Sequence, residues 1–203
     1  MTDTPTSDIL ADRAAIRDLI DAWAIFRDTG DWTRLAELWA PEGVMNATVF
    51  QGPASEFMKA SQAAFDRGVN VLHSLGGSVV DIAGDRAIAQ TKMSINQRAP
   101  LQGVLCDVIC YGRFYDFLVK RDGRWLLAER QPIYEKDSIA PVDPAATLAL
   151  DAEKLAAFPE GYRHLAYLQT SIGMTVKHDM PQLRGAEVEA LYLRGRKWLD
   201  GEG

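Results

Sequence analysis

No stretch of the chain is apolar over the roughly 18 residues that a membrane-spanning helix needs. The opening Met1–Asp8 has neither the positive region nor the apolar run of a secretory leader. A cytoplasmic chain with no membrane partner is expected. Basic runs and Lys/Arg stripes are missing too: 22 Lys and Arg stand against 28 Asp and Glu, a net charge of -6, which speaks against nucleic acid as a partner. Cysteine is scarce, with two residues, Cys106 and Cys110. On a strand these would share one face about 13 Å apart, at ~3.3 Å per residue, too far for a disulfide. A C-x3-C pair with no histidine or further cysteine nearby makes a poor metal site, so both read as buried, reduced thiols. Histidine is nearly as scarce, with three residues, of which only His73 precedes the C-terminal tail. Internal repeats and low-complexity segments are absent.

What is present is enough for one sizeable core with an appendage: 203 residues, 47% of them hydrophobic and 25% charged. Ile9, Ile16, Leu19, Ile20, Trp23 and Phe26 recur at helical spacing and predict a helix over residues 8–29, with Ser7 as its N-cap and Gly30 as its stop. Asp31 caps a second, short helix reaching Trp39. A strand is expected over Val44–Phe50, a turn at Gly52-Pro53, and a third helix over Glu56–Asp66. Beyond Gly68 the texture is that of strands: Val71–Leu75, Ser78–Ile82, Ala87–Asn96, Leu105–Lys120 and Trp125–Tyr134. Gly76-Gly77, Gly84-Asp85, Ala99-Pro100 and Asp122-Gly123 read as the breaks. Helices followed by an antiparallel meander predict an α+β architecture, a curved sheet wrapped over helices. The stretch Leu105–Val119 is apolar on both faces. One face must pack on helices, and the other lines a cavity or meets another subunit.

Pro141-Val142-Asp143-Pro144 is a rigid exit. It divides a first unit, residues 1–140, from a helical extension, residues 141–203, with helices expected over Ala145–Leu155, Tyr162–Ile172 and Gly185–Leu199. The extension has too little apolar content for a core of its own and is expected to pack on the sheet or on a neighbouring subunit.

Three residues draw chemical interest. Asp28 stands in the last turn of a helix, where the macrodipole disfavours an acid by roughly 0.3–1 kcal/mol. It is either a solvated surface carboxylate or one held there for a purpose. His73 lies in an apolar run, Val69–Leu75, and is either a satisfied core histidine or a neutral imidazole suited to proton transfer. A carboxylate on one ring nitrogen would fix its tautomer and stabilise the imidazolium. Arg130, placed by alternation on the apolar face with Leu126, Ala128 and Pro132, needs an anion, either an internal carboxylate or a developing charge on a ligand.

The ordered segments Ile16–Ile20, Ala24–Asp28, Gly30–Trp39, His73–Gly76, Gly84–Ala87 and Arg121–Leu127 resemble the SnoaL-like branch of the nuclear-transport-factor-2-like superfamily over about residues 8–137. The resemblance implies an α+β cone enclosing one deep pocket. It is nearest to the scytalone dehydratase, bile-acid dehydratase and hexachlorocyclohexane dehydrochlorinase group, whose helix-end Asp and strand His map onto Asp28 and His73; a last-strand Arg of some members maps onto Arg130. Such enzymes need no metal or organic cofactor, and related lyases release formaldehyde from lignin-derived aromatic dimers. The superfamily also holds isomerases, cyclases, assembly subunits and ligand binders. The resemblance thus implies a cofactor-independent lyase for a small apolar substrate, aromatic or polycyclic, in a homo-oligomer (trimer or dimer). Where some members carry a Tyr or Lys for the leaving group, this chain has Trp23, which cannot supply a proton. The candidates for that task are Asp107, Tyr111, Tyr115 and Tyr134; Trp23, Phe50, Tyr111 and Tyr115 are candidates for the substrate wall.

Overall fold

Four strands of 14 to 18 residues dominate the chain. Strands that long must twist and bend, and they can bury both faces only if something covers each of them. The computed structural model describes residues 6–202, the side chains of Thr6, Ser7 and Asn70 excepted; Ser7 lies inside the first helix and not ahead of it, so it is not the expected N-cap. In chain order the elements are α1 (Thr6–Thr29), α2 (Trp32–Ala36), β1 (Trp39–Ala47), β2 (Phe50–Pro53), α3 (Ala54–Asp66), β3 (Asn70–Ala83), β4 (Arg86–Leu101), β5 (Val104–Arg121), β6 (Arg124–Pro141), α4 (Ala152–Ala156), a 3-10 turn (Glu160–Tyr162), α5 (Arg163–Ser171) and α6 (Ala186–Leu199). The sheet order is β2-β1-β6-β5-β4-β3, antiparallel throughout except for the parallel β1–β6 pair. This is the α+β cone expected from the sequence.

Local expectations fare unevenly. Asp31 caps α2 by accepting from the Arg34 backbone N–H at 3.2 Å. That helix ends at Ala36, and Trp39 instead opens β1, because its ring is needed in the core. Gly52-Pro53 is not a turn but the end of β2. Gly76-Gly77 does not break the chain: β3 runs through it, with the register shifting between Leu75 and Ser78. Ala99-Pro100 continues β4, and the hairpin turns instead at Gln102-Gly103, with φ of 53° and 82°. Asp122-Gly123 turns as expected, with φ of 50° and 78°. In the tail, residues 145–150 are not helical, and the first helix there shrinks to α4, capped by Asp151.

Two layers cover the sheet. On the inner face, Ile16, Ile20 and Trp23 of α1 and Leu165, Ala166 and Leu168 of α5 share one core with the even-numbered β5 residues Cys106, Val108, Cys110, Phe114 and Leu118. On the outer face, Val188 and Leu191 of α6 pack on Ile88, Tyr115, Phe117 and Ile133. So β5 is apolar on both sides because the chain's own last helix covers the side that neither a cavity nor the inner helices take. Bulges set which β6 residues face inward. Phe117 pairs with Glu129 and Leu118 with Leu127, skipping Ala128. Ala128 therefore packs with the outer cluster while Arg130 and Pro132 turn inward, correcting the face drawn from simple alternation.

The outer helix comes very close to the sheet at Gly195, where an added Cβ would overlap the Tyr115 hydroxyl. Gly195→Ala gains helix propensity of about 1 kcal/mol but forces α6 off the sheet. A net loss of about 1–3 kcal/mol is expected in chemical denaturation, with α6 loosening first in hydrogen exchange.

Candidate functional site

The end of α1 brings Asp28 to the first residues of β3. Its Oδ2 accepts from the His73 backbone N–H at 2.5 Å, and its Oδ1 lies 2.7 Å from His73 Nδ1. One carboxylate therefore holds both the strand and the ring, and the ring nitrogen facing it must carry the proton for a hydrogen bond to an ionised acid. That leaves Nε2 as the basic nitrogen, with no hydrogen bond to any described residue. The helix-end acid that helix physics disfavours is explained by what it holds.

The imidazole edge meets Trp23 at 5.3 Å between centroids, interplanar angle 80°, and Phe114 at 6.1 Å. The His73 side chain is 6% exposed. Burial lowers its pKa from the usual histidine value, the Asp28 hydrogen bond and charge oppose that, and Arg27 and Arg130 add to the lowering. The group is therefore a neutral base at neutral pH with a carboxylate ready to stabilise its protonated form.

His73 lines a cavity of about 510 Å³. Residues 67, 69, 71 and 73 all reach it, the two-residue period of a chain running into a strand. Trp23, Phe50, Phe57, Phe114 and Tyr134 supply its aromatic wall. One side is polar and comes from distant parts of the chain: Thr48 Oγ1 donates to Gln169 Oε1 at 2.8 Å, and Gln169 Nε2 donates to Gln97 Oε1 at 3.3 Å. Leu165, Gln169, Met174 and Thr175 of the tail complete the enclosure.

Arg130 resolves into a position behind this wall. Its Nε and Nη2 donate to Asp116 at 2.7 Å each, with both side chains fully buried. Its guanidinium carbon lies 4.2 Å from the Trp23 ring and 4.0 Å from the Phe114 ring. It does not line the cavity, and the partner it found is internal, although Nη1 is buried without a hydrogen bond.

Of the expected wall residues, Trp23, Phe50 and Tyr134 line the cavity, and Asp107, Tyr111 and Tyr115 do not. The reason is parity. All three are odd-numbered positions of β5, whereas Phe114 on the even face reaches the cavity. Asp107 instead takes Arg98 in a bidentate pair at 2.7 and 2.6 Å, Tyr111 is exposed, and Tyr115 sits under α6. Tyr134 alone among the proposed acids stays in play. Burial raises its phenol pKa well above the ordinary value, and it lies in hydrogen-bond reach of Thr48. Sequence reasoning missed Phe57, Phe114, Gln97 and Gln169, and it missed Arg27 although that residue adjoins Asp28. The alternation of β5 about its buried cysteines would have pointed to Phe114; nothing local pointed to Gln169.

A second pair shows that the motif alone does not make a site. Asp137 Oδ1 lies 2.7 Å from His164 Nδ1 and its Oδ2 accepts from the Leu165 N–H at 2.8 Å. This repeats the Asp28–His73 pattern, but neither residue lines the cavity. It pins the start of α5 to β6. Among the described residues no group of three or more His, Cys, Asp and Glu side chains is placed to hold a metal ion.

Comparison with known proteins identifies the family and the fold. The SnoaL-like domain family matches residues 8–131. The chain belongs to the SnoaL-like family. Pea pathogenicity protein 2 of Fusarium vanettenii is 34% identical, covering 94% of this chain and 87% of its own. Among solved structures, a scytalone-dehydratase-like protein from Novosphingobium aromaticivorans superposes with TM-score 0.57 at 18% identity over 71% of this chain and 99% of its own. A hexachlorocyclohexane dehydrochlorinase gives TM-score 0.52 at 18% identity over 71% and 97%. These structures establish the fold. It is a fold shared with dehydratases and dehydrochlorinases, while a relative that aligns over nearly the whole chain is a fungal pathogenicity protein.

Two outcomes follow from the site geometry. The His73 imidazole titrates below the ordinary value near 6.5, so the folded chain keeps this part of its stability above that pH and loses it as the pH falls below. Asp28→Asn removes the opposing charge and lowers the value further, readable by NMR of the chain's three histidines. Asp116→Ala strands a buried guanidinium and costs about 3–5 kcal/mol in denaturant melts.

Proposed function

We propose that this SnoaL-like chain is a cofactor-independent lyase that eliminates water, halide or another small group from a mainly apolar, aromatic-bodied substrate. The observation that carries the reading is an imidazole oriented by a carboxylate at 2.7 Å, its other nitrogen without a hydrogen bond to any described residue, on a histidine that lines a chamber of about 510 Å³. A chamber of that size suits a small organic molecule.

In the proposed step His73 Nε2 takes a proton from a carbon or hydroxyl of the substrate. The bonding pair left behind forms the new double bond, and the leaving group departs with its own pair. Asp28 holds Nδ1–H and stabilises the imidazolium as it forms. The leaving group must gain a proton if it departs as water. Tyr134 is the candidate by position, since it lines the same cavity with Thr48 beside it, although burial raises its phenol pKa and so weakens it as an acid. Arg130 serves through the rings it stacks on. It keeps Trp23 and Phe114 in place against His73, and its charge biases the imidazole toward the neutral form.

The test is a screen over aromatic and polycyclic alcohols, chlorides and hydroxymethyl compounds, followed by mass spectrometry for loss of water, hydrogen chloride or formaldehyde. For any compound turned over, His73→Ala is expected to lower kcat/KM by about 10³-fold or more and Asp28→Asn by about 10²–10⁴-fold. The acid limb of the pH–rate profile is expected below 6.5, as the lowered His73 pKa requires. Turnover that survives His73→Ala sinks the reading.

A further inference from the structure

The chain is acidic, yet among the described residues no Asp or Glu lines the cavity, and two arginines do, Arg27 and Arg67. The one carboxylate close to the wall, Asp28, has both oxygens engaged by His73 at 2.5 and 2.7 Å. Arg27 reaches it only through Nη1 at 3.7 Å, beyond the range of a hydrogen bond. The Arg27 side chain is nevertheless just 11% exposed. A guanidinium carries five N–H donors in a rigid fork and stays charged when buried. Arg27 makes no hydrogen bond to a described side chain and lines a mainly aromatic chamber, so a ligand carrying an anionic acceptor gains a charge-assisted bond there.

Arg27 and Arg67 stand at one end of the chamber. Arg27 is in the last turn of α1, and Arg67 is the C-cap of α3. The two helix ends are packed together: the Phe65 ring lies 3.0 Å from where a Cβ on Gly30 would be, and Trp32 meets Phe65 edge-on at 5.8 Å. Arg67 is exposed, and its side chain has no ion pair with any described residue. One cation is thus set deep beside His73 and a second is set toward solvent, with apolar wall beyond them.

We propose that the chamber takes an organic carboxylate with an apolar, aromatic body, whose carboxylate group is bound by Arg27 and drawn in past Arg67. This rests on the lyase reading in taking the cavity as the substrate chamber, and it names the substrate class. The carboxylate closes on the Arg27 fork as a charge-assisted pair, which sets the rest of the molecule against Trp23, Phe57 and Phe114 and so places its neighbouring carbons beside His73.

The probes are three carboxylates and their neutral primary amides: benzoate and benzamide, cinnamate and cinnamamide, 2-naphthoate and 2-naphthamide. Binding to the full chain is measured by calorimetry. At least one carboxylate is expected to bind about tenfold or more tighter than its own amide, and Arg27→Gln to erase that preference while leaving the amide within about threefold. Circular dichroism and the melting temperature establish that the variant is folded. Arg67→Gln, at an exposed position, is expected to slow carboxylate association in stopped flow more than it speeds release. Equal or tighter binding of every amide in the wild type overturns the proposal, and so does a preference that survives in folded Arg27→Gln. His73→Ala is expected to keep the carboxylate preference. A chain that prefers carboxylates through Arg27 but eliminates nothing therefore refutes the lyase reading alone, and one that eliminates from neutral compounds at full rate in Arg27→Gln refutes this proposal alone.

Discussion

The arrangement rests on a fully buried ion pair that never touches the cavity. Arg130 is gripped by Asp116 through two hydrogen bonds and lies against both the Trp23 and the Phe114 rings, which meet each other edge-to-face. Trp23 comes from α1 and Phe114 from β5, so a single guanidinium joins the helix to the sheet at the point where the two rings meet His73. A pair of this kind is weak evidence for stability by itself, since desolvation offsets much of the attraction. What it supplies is position. Contacts to two rings set edge-to-face to each other, 5.5 Å between centroids at 73°, and a bidentate hold by Asp116 fix the group from three sides, and the rings inherit that placement.

The Asp28 contact adds a second constraint from the other side. Because the carboxylate takes the backbone N–H of His73 as well as its ring, the histidine is fixed at its Cα and at its tip. The imidazole cannot swing without breaking a tie between α1 and β3. The comparison with Asp137 and His164 is instructive, since the same donors and acceptors there serve only to dock a helix. A carboxylate on an imidazole is a way of holding a histidine; what sets His73 apart from His164 is that it lines the cavity.

The order of elements, the hairpin at Asp122-Gly123 and the separation of Asp28 from the capping residue Asp31 were readable from local signals, because each rests on a few adjacent residues. The Asp28–His73 contact itself came through resemblance and was not derivable from spacing. What failed to come through depends on register. One skipped residue at Ala128 turns Arg130 from one face to the other, and parity along β5 decided that Phe114 and not Tyr111 or Tyr115 would meet the cavity. Gly76-Gly77 looked like a turn because glycine usually punctuates; here it accommodates the register shift that lets β3 bend against β4. Gln169 lies 121 residues from Thr48, and no window along the chain could have joined them.

The last of these contacts separates two kinds of change open to the chain. Asp28 and His73 come from the SnoaL-like segment, residues 8–131, but one wall of the chamber comes from α5 and the residues after it, which lie wholly outside that segment. Substitutions at Leu165, Gln169, Met174 or Thr175 reshape the interior without touching either partner of the dyad. The tail thus supplies a lining that is separate in sequence from the segment holding Asp28 and His73. The pea pathogenicity protein 2 of Fusarium vanettenii aligns over 94% of the chain, whereas the two solved structures cover 71%.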